Sequence, residues 1–493
     1  MATIAPSAEQ TSARRRWWAL AVIGLAQLLV IIDVTIMTIA LPSAQQELGM
    51  SDSARQWAIT AYTVAFGGLL LLGGRLADRL GRKNTLLVGA LGFAIASAIG
   101  GAASSTGMLL AARAGQGVFA ALLAPSTMSL LTITFTEPKE RAKVFGIFSA
   151  IMMSGAAIGL VAGGALAEFL DWRWCLYINL PIAIVATVLG AFVLPKVERH
   201  RNTPLDWLSA VFGGGAIVSL VYALSEAGEN GFGSALVLGL LGLAAGLIGA
   251  FVFRQAKAAN PLLPLGIVTE RARATAFLGI GFAGLGMFGM FLFLTYQLQG
   301  IMGYGPLEAG LAFLPFVGAN ILVSTQITRR LMPRYGARPM LVGGLLVLAA
   351  GLAIFTQLTP DSGYATLLLP TELLLGAGAG LIMPAAINAA TAGLAARDSG
   401  IASAFITTSQ QVGASIGTAA LNTIAASATA SVAAGGAAAT VHGYATASGW
   451  AAGALVVGAV VAALLYRAPS AQQEPGRPDE PGTLEKPEPA AAR

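Results

Sequence analysis

The sequence predicts an all-α, polytopic membrane protein, and three observations carry that prediction. Hydrophobic residues make up 56% of the 493 and charged residues only 11%. The mean hydropathy is +0.74. The apolar residues are gathered into long runs parted by short polar loops. A soluble domain carries about 25% charge. Runs such as 17–41 and 85–103 reach or approach the roughly 20 residues that cross about 30 Å of hydrocarbon, where the backbone must satisfy itself as a helix.

Taken in order, the runs predict fourteen spans, near 17–41, 56–76, 85–103, 107–135, 143–169, 173–194, 205–225, 234–253, 273–298, 307–328, 339–358, 364–393, 399–424 and 447–466. Residues 1–16 form an N-tail with a basic cluster, Arg14 to Arg16, ahead of a first span too long for a signal-peptide core. Residues 17–194 hold a six-span bundle, 195–272 hold spans 7 and 8 with their loops, and 273–466 hold a second six-span bundle. The segment 467–493 is rich in Pro and Glu and reads as a disordered tail. Both tails fall on one side, with 26 of the 29 Lys and Arg residues. Arg55 and Arg173 fall on the other, and Arg113 lies within a span. That asymmetry puts both termini in the cytoplasm. The abundance of Ala and Gly suggests a GC-rich bacterial genome, hence a multi-pass protein of the bacterial inner membrane.

The same distribution excludes several functions. A net charge of +6 does not mark nucleic-acid binding when the cations sit in short loops. A single cysteine, Cys175, leaves no internal disulfide, and His200 and His442 lack ligand-like spacing, so no metal or cofactor is expected. GAGAG (Gly376 to Gly380) lies inside an apolar run with no strand before it, so a dinucleotide loop is excluded.

Two loops repeat. RLADRLGRK, Arg75 to Lys83, aligns with RLMPRYGAR, Arg330 to Arg338, at an offset of 255, and the same offset carries the start of span 1 to the start of span 9. Two six-span halves therefore flank the inserted pair, which is a transporter architecture.

These residues resemble a known family. GRLADRLGRK, Gly74 to Lys83, is similar to the signature loop between helices 2 and 3 of the major facilitator superfamily. In order along the chain come IIDVTIMTIALP (Ile31 to Pro42), LLAARAGQG (Leu109 to Gly117), DWRWCLYINLP (Asp171 to Pro181), LDWLSA (Leu205 to Ala210), LVYALSEAG (Leu220 to Gly228) and YQLQGIMGYGPLEAGLAFLP (Tyr296 to Pro315). Together they resemble the fourteen-span drug:proton antiporter family over nearly the whole chain. The resemblance implies the major facilitator fold and proton-driven export of drugs, dyes or antibiotics by alternating access, without ATP. It also implies a conformational latch between the bundles at Gly74, Asp78, Arg79, Gly81 and Arg82. One departure is Leu160, which stands where the family's span 5 signature has Pro.

Ionisable groups in hydrocarbon are costly and therefore functional candidates. Asp33 in span 1, Arg113 in span 4 and Glu372 in span 12 lie well inside spans, all in the outer half at roughly 24 Å from the inner face and 9 and 12 Å from the outer. A cavity shared by the three is expected to couple protons. Asp33 and Arg113 match the family's span 1 acid and span 4 arginine; Glu372 matches no family motif. Glu168 is close enough to the outer end of span 5 to be a rim residue. For Asp33 the competing reading is an ion pair with Arg113 that only orders the bundle.

Gly155, Gly159 and Gly163 form a doubled GxxxG, whose first explanation is close helix packing. Ser403, Thr407, Gln411, Ser415, Thr418 and Asn422 make one polar face of span 13, lining either a cavity or a helix contact. Asn320 and Ser324, with Tyr296 and Gln297, are further candidates for substrate contact. The phenylalanines Phe277, Phe282, Phe288, Phe291 and Phe293 favour lipid-facing packing over stacking on an aromatic cation.

Three functions follow: a proton-coupled drug or antibiotic exporter acting as a monomer; a dedicated metabolite transporter, favoured if Leu160 changes the direction of coupling; and a membrane-embedded enzyme or sensor, for which no nucleophile, base or metal cluster is found. Two membrane acids against one arginine favour a cationic or amphipathic small-molecule substrate.

Overall fold

A computed structural model describes residues 8–466 apart from 136, 196–205, 259, 260, 264, 393, 395, 433 and 434. Among these residues fourteen long helices follow one another: α1 (Ala8–Leu48), α2 (Asp52–Leu80), α3 (Arg82–Gly101), α4 (Thr106–Thr134), α5 (Pro138–Phe169), α6 (Trp174–Val193), α7 (Trp207–Asn230), α8 (Ala235–Lys257), α9 (Arg271–Ile301), α10 (Pro306–Tyr335), α11 (Ala337–Phe355), α12 (Tyr364–Thr391), α13 (Ala396–Ala430) and α14 (Gly436–Leu465). All but α2, α5 and α13 are long and apolar enough over their described residues to cross a bilayer, and α5 keeps a shorter apolar run, Ser154–Phe169. The fourteen helices overlap the fourteen expected spans and are compatible with that count.

The first helix differs from its predicted span. It begins at Ala8, not at residue 17, because charged residues can continue a helix beyond hydrocarbon when they find partners. Arg15 donates to the carbonyls of Val193 and Phe192 at 3.2 and 3.5 Å, at the end of α6, and Arg16 pairs with Glu140 at 2.9 Å. Residues 1–7, the tail 467–493 and the loop with His200 lie outside the described residues.

The repeated loops have repeated geometry. Gly81 separates α2 from α3 at φ 91°, and Gly336 separates α10 from α11 at φ 78°. This backbone region is open to glycine and strained for other residues. Just after each turn a cation caps the far end of its own half. Lys83 donates to the carbonyls of Ala191 and Leu194 at 2.6 and 3.0 Å, and Arg338 donates to the Ala463 carbonyl near the end of α14. Both satisfy carbonyls that a helix C-terminus leaves orphaned.

We call the end that carries Gly81 and Gly336 proximal and the opposite end distal. The N-terminal half packs α1 against α5 through the GxxxG glycines: a Cβ on Gly163 would stand 3.0 Å from the Ile36 Cα, and one on Gly159 3.2 Å from the Ile32 Cα. Leu160 is buried in the same helix. The inserted pair is pinned by polar bonds at its proximal end. Asp206 caps α7 through the Ser209 N–H and pairs with Arg254 of α8 at 2.6 Å, and Gln255 donates to the Ser209 hydroxyl at 2.6 Å. The pair rides on the junction of the halves, where Val221 of α7 packs with Val64 of α2 and Ala419 of α13.

Among the described residues, the hydrogen bonds that join the two halves lie toward the distal end. Tyr296 donates to Gln45 Oε1 at 3.3 Å while the Arg55 guanidinium sits 3.8 Å over the Tyr296 ring. Gln299 donates to the Ile39 carbonyl at 3.1 Å, the Leu307 N–H to Glu168 Oε2 at 2.9 Å, Ser415 to Thr63 at 2.8 Å and Asn422 to Gln56 at 2.7 Å. These bonds tie the two halves together toward the distal end.

Candidate functional site

The charged residues of the N-terminal half converge on one buried node. Asp33 on α1 accepts from Arg113 of α4 at 2.6 Å, from Gln116 one turn further along α4 at 2.6 Å, and from Asn179 of α6 at 2.8 Å. Gln116 and Asn179 both donate as well to Ser97 of α3, at 2.8 and 3.4 Å. Arg113 spends its Nε on the Ala58 carbonyl of α2 at 3.0 Å and lies 4.7 Å over the Tyr62 ring. Asp33 is 0% and Arg113 2% exposed. One carboxylate therefore holds together α1, α4 and α6 directly, and α3 through Ser97. Burial of two opposite charges is tolerable only with such dense hydrogen bonding. Two acceptor-capable groups of this node, Asn179 Oδ1 and the Tyr62 hydroxyl, have no hydrogen-bond partner among the described residues.

Among the described residues, the cavity that Glu372 lines includes neither Asp33 nor Arg113, so the expected shared cavity is not seen. Glu372 projects from α12 into its own half, between α9 and α10, and not toward Arg113. Position along a helix sets depth, but rotation about its axis sets direction, and here packing turns Glu372 toward a small closed cavity of about 10 Å³, at the lower limit of what holds one water. Met287, Phe291, Leu294, Phe313, Phe316 and Leu375 line it with Glu372. Glu372 is fully buried, its Oε1 has no hydrogen-bond partner among the described residues, and its Oε2 lies 3.4 Å from the Tyr364 hydroxyl. Phe291 stacks on Phe313 at 5.3 Å and meets Phe316 edge-on at 4.9 Å, and Phe293 stacks on Tyr444 at 4.9 Å. Phe277 meets Phe405 at 4.7 Å. The phenylalanine series thus packs inside the bundle rather than against lipid; the Phe288 side chain lies outside the described residues.

The remaining candidates fall at helix contacts. Tyr296 belongs to the distal seal. Gln297 is 0% exposed, with neither amide atom paired among the described residues, in the π-helical turn Gln297–Ile301 that ends α9. Asn320 is half-buried where α10 passes closely over Gly376 and Gly380 of α12. On α13, Gln411 packs against Gly67, while Ser415 and Asn422 bond α2, so this stretch of the polar face is the junction of the halves. Thr407 is half-buried, and the Ser403 side chain lies outside the described residues. In the loop, Gly74 faces Pro125 of α4, Arg75 donates to the Pro261 carbonyl, Arg79 is exposed and Arg82 half-buried; the Asp78 side chain is outside the described residues.

Gln116, Asn179, Ser97 and Tyr364 were not among the sequence candidates. Neutral polar residues are common glue in membrane helices, so only the three-residue spacing of Gln116 from Arg113 on one helix face pointed to it.

Known proteins agree with this architecture. Residues 23–418 match the model of the Major Facilitator Superfamily. Puromycin resistance protein pur8 of Streptomyces alboniger is 50% identical over 462 residues, covering 92% of this chain and 91% of that protein. Cephamycin export protein CmcT of Amycolatopsis lactamdurans is 36% identical over 416 residues, covering 83% and 85%. Multidrug efflux pump LfrA of Mycolicibacterium smegmatis is 31% identical over 420 residues, covering 85% and 82%. The crystal structure of a bacterial homologue of the human lysosomal transporter Spinster, inward-facing and unoccupied, superposes with a TM-score of 0.62 at 17% identity, covering 92% of this chain and 97% of that one, and shows the fold. The chain, with its duplicated halves, buried ion pair and glycine-turned loops, belongs to the Major Facilitator Superfamily.

Proposed function

We propose that this chain is a proton-coupled exporter of drugs or antibiotics in the bacterial inner membrane, acting as a monomer with both termini in the cytoplasm and its distal end outward. The observation that carries this reading is the Asp33 node. Protonating Asp33 turns one of its oxygens into a donor, so the three N–H groups aimed at it can no longer all be satisfied. Arg113 loses its counter-charge, and the bonds that fix α1 against α4 and α6 must rearrange. Because α1 also reaches the distal seal through Gln45 and Ile39, proton exchange at Asp33 bears on which side of the molecule is open. Asp33 and Arg113 are the coupling pair, and Glu372 is a second acid in the other half. Gly74, Asp78, Arg79, Gly81 and Arg82 act as the proximal latch.

The names of the relatives support antibiotic export and make puromycin the first compound to test. A cationic or amphipathic substrate fits the two acids, with Tyr296, Gln297, Asn320, Ser403, Thr407 and Gln411 as contacts once the seal parts. The test is substrate-driven proton movement in proteoliposomes, comparing wild type with Asp33→Asn over puromycin and cationic dyes. Collapse of a preset proton gradient in wild type alone is the expected result. No response to any compound in either protein refutes drug antiport.

A further inference from the structure

Helix α10 is broken. Pro315 has no N–H to continue the ladder, and the helix divides into Pro306–Ala312 and a second segment beginning at Leu314. The first segment belongs mechanically to the other half: Leu307 bonds Glu168 of α5, and Gly310 packs against the Leu160 carbonyl. It is the plug that closes the distal end on this side. Its last carbonyl, that of Ala312, accepts from the Tyr364 hydroxyl at 2.7 Å. Tyr364 opens a π-helical turn, Tyr364–Leu368, at the start of α12, a distortion found often at functional sites.

The Tyr364 hydroxyl has one proton and two acceptors in reach, the Ala312 carbonyl at 2.7 Å and Glu372 Oε2 at 3.4 Å. In the sealed state the proton serves the carbonyl. Glu372 then faces apolar side chains, with Tyr364 and, behind it, Tyr304 as the titratable neighbours and no cation lining the cavity among the described residues. A carboxylate cannot stay charged there without a partner. Were it ionised, it would be the stronger acceptor and would draw the hydroxyl away from Ala312.

We propose that Glu372 and Tyr364 form a second protonation site, and that its state is read by the break in α10: with Glu372 neutral, Tyr364 holds the Ala312 carbonyl and the distal plug is seated; with Glu372 ionised, Tyr364 turns to the carboxylate and the plug is released. The inference rests on the export reading for its sense of direction. The proton reaches Glu372 Oε1 from water admitted when the seal parts, and returns to water when the carboxyl ionises. Acid on the distal side therefore favours closure. Glu168 holds the other end of the plug by accepting from the Leu307 N–H.

The experiment is the distance between spin labels at Ser104→Cys and Asp361→Cys, both exposed in distal loops, measured without substrate in lipid nanodiscs from pH 5.5 to 8.5. In wild type the open population rises with pH. In Glu372→Gln it stays closed and flat. In Tyr364→Phe the plug has lost its tie whatever the state of Glu372, so the open population is about five- to tenfold higher at low pH, for one lost hydrogen bond, and no longer varies with pH. A wild type without pH response, a Glu372→Gln protein that keeps it, or a Tyr364→Phe protein identical to wild type each overturns the proposal. Should proteoliposomes show no drug-driven proton movement while this distance still responds through Glu372, the export reading fails and the switch stands.

Discussion

The Asp33–Arg113 pair makes a prediction in which stability and function part company. In Asp33→Asn, Arg113 is left as a buried cation 2% exposed, and loss of one partner of such a pair costs about 3–5 kcal/mol. Arg113→Gln leaves the carboxylate equally stranded, with Gln116 and Asn179 as its remaining donors. The double variant Asp33→Asn/Arg113→Gln removes both charges. Its cost is then the hydrogen bond to the Ala58 carbonyl, about 1 kcal/mol, and the contact with the Tyr62 ring, about 0.5–2 kcal/mol. The double variant should therefore be more stable than either single variant, with a coupling energy of about 3 kcal/mol or more. Denaturant unfolding in mixed micelles measures the cycle, and proteoliposomes measure proton-driven puromycin export in parallel. All three variants should fail to export. Additive destabilisation would refute the pairing, and a double variant that still exports puromycin driven by a proton gradient would show that the node only orders the bundle.

Further outcomes follow from other contacts. Gly81→Ala and Gly336→Ala, at φ 91° and 78°, should each cost about 1–3 kcal/mol of stability by backbone strain, read as similar shifts in unfolding midpoint. Lys83→Ala should cost about 1 kcal/mol by freeing the Ala191 and Leu194 carbonyls, and amide exchange at the end of α6 should quicken locally. Tyr296→Leu removes the ring beneath Arg55 and the bond to Gln45; about 2 kcal/mol is lost from the seal, so a cysteine introduced at the buried Leu298 should label many-fold faster with a hydrophilic maleimide in the variant. No change in labelling would remove Tyr296 from the seal.

Much of this molecule was legible in its sequence because membranes restrict the choices. Hydrocarbon dictates helices, the offset of 255 exposed the duplication, and both repeated glycines adopt the positive φ that a tight turn between helices requires. Asp33 and Arg113 were legible because a charge in that setting is too costly to be incidental. Their neutral partners were not, since Gln116, Asn179 and Ser97 look like any polar residue of a membrane helix until the fold brings them to one carboxylate. Glu372 was legible as an acid at depth but not in its direction, because rotation about α12 is set by packing with α9 and α10. The break at Phe313 was visible only as LAFLP, and nothing local told that Tyr364, some fifty residues later, would serve its last carbonyl.

The order in which partners occur along the chain has a consequence for biogenesis. Every member of the Asp33 node, from Asp33 to Asn179, belongs to the first six helices, so this half can complete its polar core in the bilayer while the second half is still being synthesised. The inserted pair cannot. Val221 waits for Ala419 of α13, and Thr423 of α13 supplies the hydroxyl that bonds the Leu224 carbonyl at 3.0 Å. Helix α7 therefore emerges roughly two hundred residues before its seat exists, held until then by α2, α8 and the contact of Ala210 with Leu262, and truncations ending before α13 should expose it to quality-control proteases while leaving the first half protected.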